Sequence, residues 1–250
     1  MLLPIWDIRL TTTSLCIIIS EENIKMDTKA VISQIKEDNN TLFEASRANA
    51  RNYFASNPSK EELVDHFVGR MVNERMNMVE ISKQVANMPL DTPAEELELL
   101  SKQAFDEAVH FKMVKDVIEH IAGDEIDLDA KMKSAAAEAT DTGSAAKGAT
   151  LLTKYEASTN PVSLALYQLI AEGRAEAVWD EMANCIEDTF VSSRYAKIAR
   201  DEGFHASIGE RKLATLIEAD SSVIEEVNVL APQIRADLMS ISNANTAVAV

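Results

Sequence analysis

Cysteine is nearly missing from this chain: Cys16 and Cys185 are the only two in 250 residues. Two thiols build neither a disulfide framework nor a cysteine metal cluster, so a reducing, cytoplasmic setting is the expectation. Glycine (7) and proline (6) are scarce for the length. Strong helix formers, chiefly Ala, Glu, Met and Leu, take their place, which predicts an all-α protein. Positive charge is also in short supply, with 24 Lys and Arg against 41 Asp and Glu, a net charge of −17. Such an acidic chain is poorly suited to nucleic acid or to an anionic membrane. Long apolar runs are lacking too. Leu15-Cys16-Ile17-Ile18-Ile19 is too short to span a bilayer. It has no basic segment before it and no small-residue cleavage site, so it does not read as a signal peptide.

Histidine is rare as well, with four in the chain, and two of the four fall in one repeated pattern. Asp106-Glu107-Ala108-Val109-His110 and Asp201-Glu202-Gly203-Phe204-His205 both read Asp-Glu-x-x-His within segments of helical periodicity. Residues three apart share a helix face, so Glu107 with His110, and Glu202 with His205, can each point at one metal ion. If the two pairs share a dinuclear centre, each motif should follow a helix that carries an inward glutamate. In the segment 63–85 the apolar seam Val64, Phe67, Met71, Met78, Ile81, Val85 has one vacant position, and Glu74 occupies it. A carboxylate in an apolar seam is costly unless it is paired or metal-bound. The segment 163–186 does the same with Ala165, Leu169, Glu172, Trp179, Ala183 and Ile186. Glu176 lies one turn beyond Glu172 and is the alternative. Glu74 and Glu107 are 33 residues apart and Glu172 and Glu202 are 30 apart, against 26 for Glu176 and Glu202, which favours Glu172. The candidate metal ligands and catalytic residues are therefore Glu74, Glu107, His110, Glu172, Glu202 and His205, with Glu107 and Glu202 as bridges. Asp106 and Asp201 are placed to hydrogen-bond a ligand histidine on the neighbouring helix. Phe105, Phe111, Leu169 and Trp179 are candidates to line a substrate pocket. Tyr167 and Tyr195 read as core tyrosines, His66 as a surface residue, and the ten methionines as core packing.

Taken in order, residues 1–25 form an atypical extension ahead of Met26. Met26 is the expected true start, and N-terminal mass spectrometry of the native protein would reject this by finding residues before it. A helical bundle is expected over 26–240, with its metal-bearing core at 60–217 and a flexible tail at 241–250. The first helix, from 27 to about 55, packs outside the bundle or extends its first helix. Ser59 with Glu62, Thr92 with Glu95, and Ser222 with Glu225 read as capping boxes. Residues 123–160 are the longest irregular stretch, with a helix at 130–139. Such a connection suits a crossover between two helix pairs. Asn160-Pro161 opens the third ligand helix, the fourth runs from about 193 to 217, and the last helix breaks near Pro232.

The set Glu74, Glu107-x-x-His110, Glu172, Glu202-x-x-His205 resembles the ferritin-like di-iron carboxylate superfamily over roughly residues 60–217. The resemblance implies a ferritin-like four-helix bundle with additional N- and C-terminal helices. Storage ferritins usually lack the second histidine, so the pattern is more similar to the oxygen-activating branch. That branch includes multicomponent monooxygenases, acyl desaturases, ribonucleotide reductase small subunits and aldehyde-deformylating oxygenases. The run Asp201-Glu202-x-x-His205-x-x-x-Gly209-x-x-x-Leu213 is similar to the last of these. Phenylacetyl-coenzyme A oxygenase subunits and transfer-RNA hydroxylases are similar in size and pattern, although the acidity opposes a transfer-RNA substrate. Two Fe ions are implied, with Mn/Fe or two Mn as alternatives, and O2 as co-substrate. The implied activity is a di-iron monooxygenase or oxidase that oxidises, typically by hydroxylation, a small apolar organic substrate. Without a nucleotide or flavin motif, the electrons come from an external donor, a ferredoxin or a reductase. A homodimer is the expected assembly, with no nucleic acid and no membrane as partners. Two other readings use the same ligands: a peroxide-detoxifying rubrerythrin- or manganese-catalase-like protein, and a non-catalytic iron-binding ferritin-like protein. The rubredoxin domain usual in rubrerythrin would need Cys-x-x-Cys pairs, which the chain lacks.

Overall fold

The computed structural model describes residues 21–123, 126–141, 151, 154–155 and 160–247. The apolar run at 15–19 and most of the irregular stretch after residue 141 lie outside them. Among the described residues there are seven α-helices and no strand: α1 (Glu21–Ala55), α2 (Lys60–Ala86), α3 (Ala94–Ala122), α4 (Leu128–Asp141), α5 (Pro161–Cys185), α6 (Thr189–Ala219) and α7 (Val223–Ala247). None is long and apolar enough to cross a membrane.

Local chemistry sets most of the boundaries. Asn57 takes a left-handed conformation (φ 53°), which asparagine tolerates better than most residues, and this ends α1. Ser59 and Glu62 then close the expected capping box: the Ser59 N–H donates to Glu62 Oε2 (2.7 Å) and the Glu62 N–H donates to Ser59 Oγ (3.3 Å). Gly123, at φ 73°, terminates α3. The Asn160 side chain accepts from the Val162 and Ser163 N–H groups and opens α5. Asp188 does the same for Phe190 and Val191, so α6 begins at Thr189, four residues earlier than the periodicity indicates.

Three expectations fail at helix ends. The cap of α3 is Pro93, which has no side-chain acceptor. The frame lies one residue past Thr92, so Thr92 and Glu95 form no box, and Glu95 and Glu96 instead complement the positive end of the helix dipole from the first turn. At α7 it is Asp220 that accepts, from the Ser222 N–H (2.9 Å). Pro232 does not break α7, which runs unbroken from Val223 to Ala247. Pro232 and Asn228, whose carbonyl loses its partner, both face solvent. Meanwhile Val227, Ala231, Ile234, Leu238 and Ile241 bury the opposite face at intervals of three and four.

Two helical hairpins, α2–α3 and α5–α6, touch along α3 and α6, the two helices that carry the Glu-x-x-His motifs. The α1 helix packs on α5, α6 and α7, so it supports the second hairpin and does not extend α2; α4 covers α2. The apolar interior falls into two clusters. One joins Leu42, Leu166, Ile170, Leu213, Ile217 and Ile234. The other joins Phe67, Met71, Val114, Trp179, Met182 and Ile198. Along α5 and α6 the clusters fall on either side of the segments that carry Glu172, Glu202 and His205, which leaves a polar layer between them.

Gly209 sets how closely α6 approaches α5. A Cβ there would stand 2.6 Å from the Leu169 nitrogen and 2.7 Å from the Ala165 oxygen, both backbone atoms that cannot turn aside. At Gly69 on α2 a Cβ would meet nothing within 4 Å. Gly209→Ala is thus expected to destabilise the fold by about 1–3 kcal/mol. Gly69→Ala should stabilise it by up to about 1 kcal/mol through helix propensity. Urea unfolding of the two variants checks the opposite signs.

Candidate metal centre

The seam of α3 runs Leu100, Gln103, Glu107, His110, Val114, Val117, and all six are buried. On α6 the matching face is Tyr195, Ile198, Glu202, His205, and on α2 it is Phe67, Met71, Glu74. These faces bring polar groups to the middle of the bundle because the apolar residues around them fix the helix rotation. Glu107, His110 and His205 are 0 % exposed, Glu74 and Glu202 are buried almost as completely, and Glu172 is half-buried.

Two sets of ligand atoms converge there, each within 4.8 Å of one another: Glu74, Glu107, His110 and Glu202, and Glu107, Glu172, Glu202 and His205. Glu107 and Glu202 belong to both. Glu176 belongs to neither; it is exposed and lies against Gly203, so Glu172 is the α5 carboxylate at the cluster. Each imidazole turns Nδ1 toward the carboxylates. His110 Nδ1 is 3.4 Å from Glu74 and 3.6 Å from Glu202, and His205 Nδ1 is 3.2 Å from Glu202 and 3.4 Å from Glu107. The other nitrogen of each ring reaches the opposite hairpin. His110 Nε2 bonds Asp201 and His205 Nε2 bonds Asp106, both at 3.2 Å. Lys197 in turn pairs with Asp201 and Lys102 with Asp106.

Several of these atoms have no hydrogen-bond partner: Glu74 Oε2, both carboxylate oxygens of Glu107 and His110 Nδ1. Buried carboxylate oxygens without donors are costly, and a cation removes that cost. Two divalent ions bring four positive charges to four carboxylates. With oxygen and imidazole donors, the set fits first-row transition metals such as iron or manganese. The cluster can hold a metal.

Without a cation the same groups hold protons. Burial pushes Glu74 up to about 8; the His110 imidazole 3.4 Å away opposes this, and the charges of Glu107 and Glu202 add to it. Burial, with the same two charges, raises Glu172 well above the carboxylate range. Burial would raise Glu107 too, but the imidazoles of His110 (3.8 Å) and His205 (3.4 Å) beside it hold it at about 2. For the imidazoles burial works downward, and the carboxylates overcome it. Asp106, Glu107 and Glu202 lift His205 to about 12, and Asp201, Glu107 and Glu74 raise His110 well above its ordinary value.

Other expected residues lie elsewhere. Phe105 is 67 % exposed, because two residues from Glu107 on a helix is the far side. Phe111 is half-buried, and Leu169 and Trp179 belong to different apolar clusters, so the four do not line one pocket. The cavity of about 360 Å³ between α3 and α6 opens on the outer side, along Val109, Met113, Ser193, Arg194 and Lys197. His66 is a correction. It stacks on Tyr53 (4.4 Å) with a buried Nε2 that has no partner, and burial and Arg70 hold it down to about 3. His120 pairs with Asp188 on the surface (2.8 Å). Tyr195 is a core tyrosine beside Trp179 and Phe67, its hydroxyl without a partner.

Sequence reasoning missed Gln103, although its place in the three–four seam Leu100, Gln103, Glu107, His110, Val114 was a usable signal. It also missed that the repeat is longer than Asp-Glu-x-x-His. Lys102 and Lys197 make it Lys-x-x-x-Asp-Glu-x-x-His in both copies. Compared with protein-family models, curated proteins and solved structures, the chain finds no match.

Two outcomes are expected. Glu107→Ala or His205→Ala removes a shared or terminal ligand and should abolish binding of a second metal ion, checked by metal analysis of the reconstituted protein. The second concerns pH. His110 and His205 keep their protons above the ordinary value of 6.5, so their contribution to stability is present below 6.5 and is lost as pH rises toward the folded value. Glu74 acts in the same direction, losing its contribution between 4.5 and about 8. His66 works oppositely, but its window, from about 3 to 6.5, lies below. The metal-free protein should therefore melt at lower temperature at pH 8 than at pH 6.5. The rise in Tm on adding Mn(II) should grow over the same range, because binding releases these protons.

Proposed function

We propose that the chain is a ferritin-like, non-haem di-iron oxidoreductase, an enzyme that uses O2 at a carboxylate-bridged dinuclear centre to oxidise a small apolar organic substrate. The observation that carries this reading is the sharing of Glu107 and Glu202 between the two ligand sets. A mononuclear site needs no shared carboxylates. Two histidines in equivalent places support the oxygen-activating branch over storage, since the storage ferritins that the pattern resembles usually lack the second histidine.

Glu107 and Glu202 are the bridges in this reading, Glu74 with His110 and Glu172 with His205 the terminal ligands. Asp106 and Asp201 accept the Nε2 proton of His205 and His110, which leaves each Nδ1 lone pair facing the cation. The apolar clusters on either side keep bulk water from the polar layer. When bound, two reduced irons supply two electrons to O2. The remaining electrons come from a donor outside the chain, a ferredoxin or a reductase.

The test is metal analysis of protein purified without added metal, followed by anaerobic reduction and exposure to O2. Two irons per chain, with one O2 consumed per iron pair, are expected, followed by turnover of apolar substrates in a screen. Two manganese ions with rapid peroxide breakdown would replace this reading with a peroxide-handling one. No bound metal after reconstitution would end it.

A further inference from the structure

The two halves of the centre are alike in what they repeat and unlike in what surrounds the terminal glutamates. Lys102, Asp106, Glu107 and His110 on α3 each have a counterpart 95 positions later on α6: Lys197, Asp201, Glu202 and His205. The same offset places Gln103 opposite Ile198. On the other two ligand helices, the residue four before Glu172 is Gln168, and the residue four before Glu74 is Arg70. The amides are thus on one side only, and there they form a chain. Gln168 Nε2 donates to Gln103 Oε1 (2.6 Å), and Gln103 Nε2 donates to Glu172 Oε1 (2.7 Å). Gln103 is 1 % exposed, so its amide has little water to turn to, and the acceptor bond from Gln168 fixes which end faces Glu172. On the other side Glu74 Oε2 has no partner, and Ile198 is apolar.

We infer that Gln103 is a positioning residue that makes the two cation positions unequal. By engaging one lone pair of Glu172 Oε1 and fixing the tilt of that carboxylate it disfavours chelation through both oxygens, while Glu74 remains free to offer both. A carboxylate that chelates fills two coordination places and one that binds through a single oxygen fills one. The position at Glu172 and His205 is accordingly the one with a place left for a small exogenous ligand, the class to which O2 and small anions belong. Glu172 is also the least buried of the four glutamates. This inference rests on the dinuclear reading above.

The experiment uses Co(II) as the metal probe and azide as the exogenous ligand, followed through the visible bands of Co(II), with calorimetry for stoichiometry. Wild-type protein is expected to bind two Co(II) per chain and one azide. Gln103→Leu keeps the volume and removes the donor, which frees Glu172 to chelate. It should keep two Co(II), change the bands of one ion and weaken azide binding by about tenfold or more, within the range typical of changes to groups that hold a ligand. Gln168→Leu leaves the Gln103 amide less fixed and should weaken azide by a smaller factor. Circular dichroism melting of each variant separates a folding defect from a change at the site. Unchanged azide affinity and bands in Gln103→Leu overturn the inference while leaving the dinuclear centre standing. Loss of the second Co(II) in a folded Gln103→Leu overturns it as well, since the amide would then hold the ion and not its open place. Failure of wild-type protein to bind Co(II) removes the dinuclear reading and this inference together.

Discussion

Four carboxylates and two imidazoles stand between two apolar clusters, and the rest of the molecule is arranged to keep them there. Charge in such a place is unfavourable unless something compensates it. Part of the compensation is internal: the histidines draw protons and pair with Glu107, while Glu74 and Glu172 are pushed toward their neutral forms. The remainder is unmet, as the partnerless oxygens of Glu74 and Glu107 show. The apolar layers make the helix rotation so costly to change that the polar groups have no way to turn outward. A cation is the simplest species that satisfies all of them at once.

The parts of this arrangement that depend on one helix at a time were legible in the sequence. Glu74 in a gap of an apolar seam, the i, i+3 pairing of Glu and His, and the Ser59–Glu62 cap each follow from the 3.6-residue period. The sidelong roles of Asp106 and Asp201 were legible as well, because a residue adjacent to an inward one points along the interface. What depends on two helices at once was harder to read. The choice between Glu172 and Glu176 is decided by Gly203, across the interface, where Glu176 lies. Phe105 was misplaced because apolar character was weighed over its angular position. Pro232 was taken as a break because the local cost was visible, and the burial of Val227, Ala231, Ile234 and Leu238 that outweighs it belongs to the packed state.

The crossed hydrogen bonds, His110 to Asp201 and His205 to Asp106, join two hairpins that also meet through the α3–α6 contact and the apolar cluster of Phe67, Met71, Trp179 and Tyr195. Each hairpin supplies two of the four glutamates and one histidine, and each imidazole is hydrogen-bonded to an aspartate of the other hairpin. Local helix formation and docking of the hairpins therefore converge on the same layer, and the ligand geometry is complete only when both have happened.

That crossing has the form of a two-fold interface, in which residue i of one partner meets residue j of the other and j meets i. A homodimer makes such contacts between identical surfaces and must carry every substitution twice. Here the two surfaces lie on one chain, so a substitution in one is not copied into the other. Gln103 and Ile198 stand at equivalent places with opposite character, a difference that a homodimer could not hold. A covalent connection between the halves is what permits a symmetric frame to hold two unlike positions.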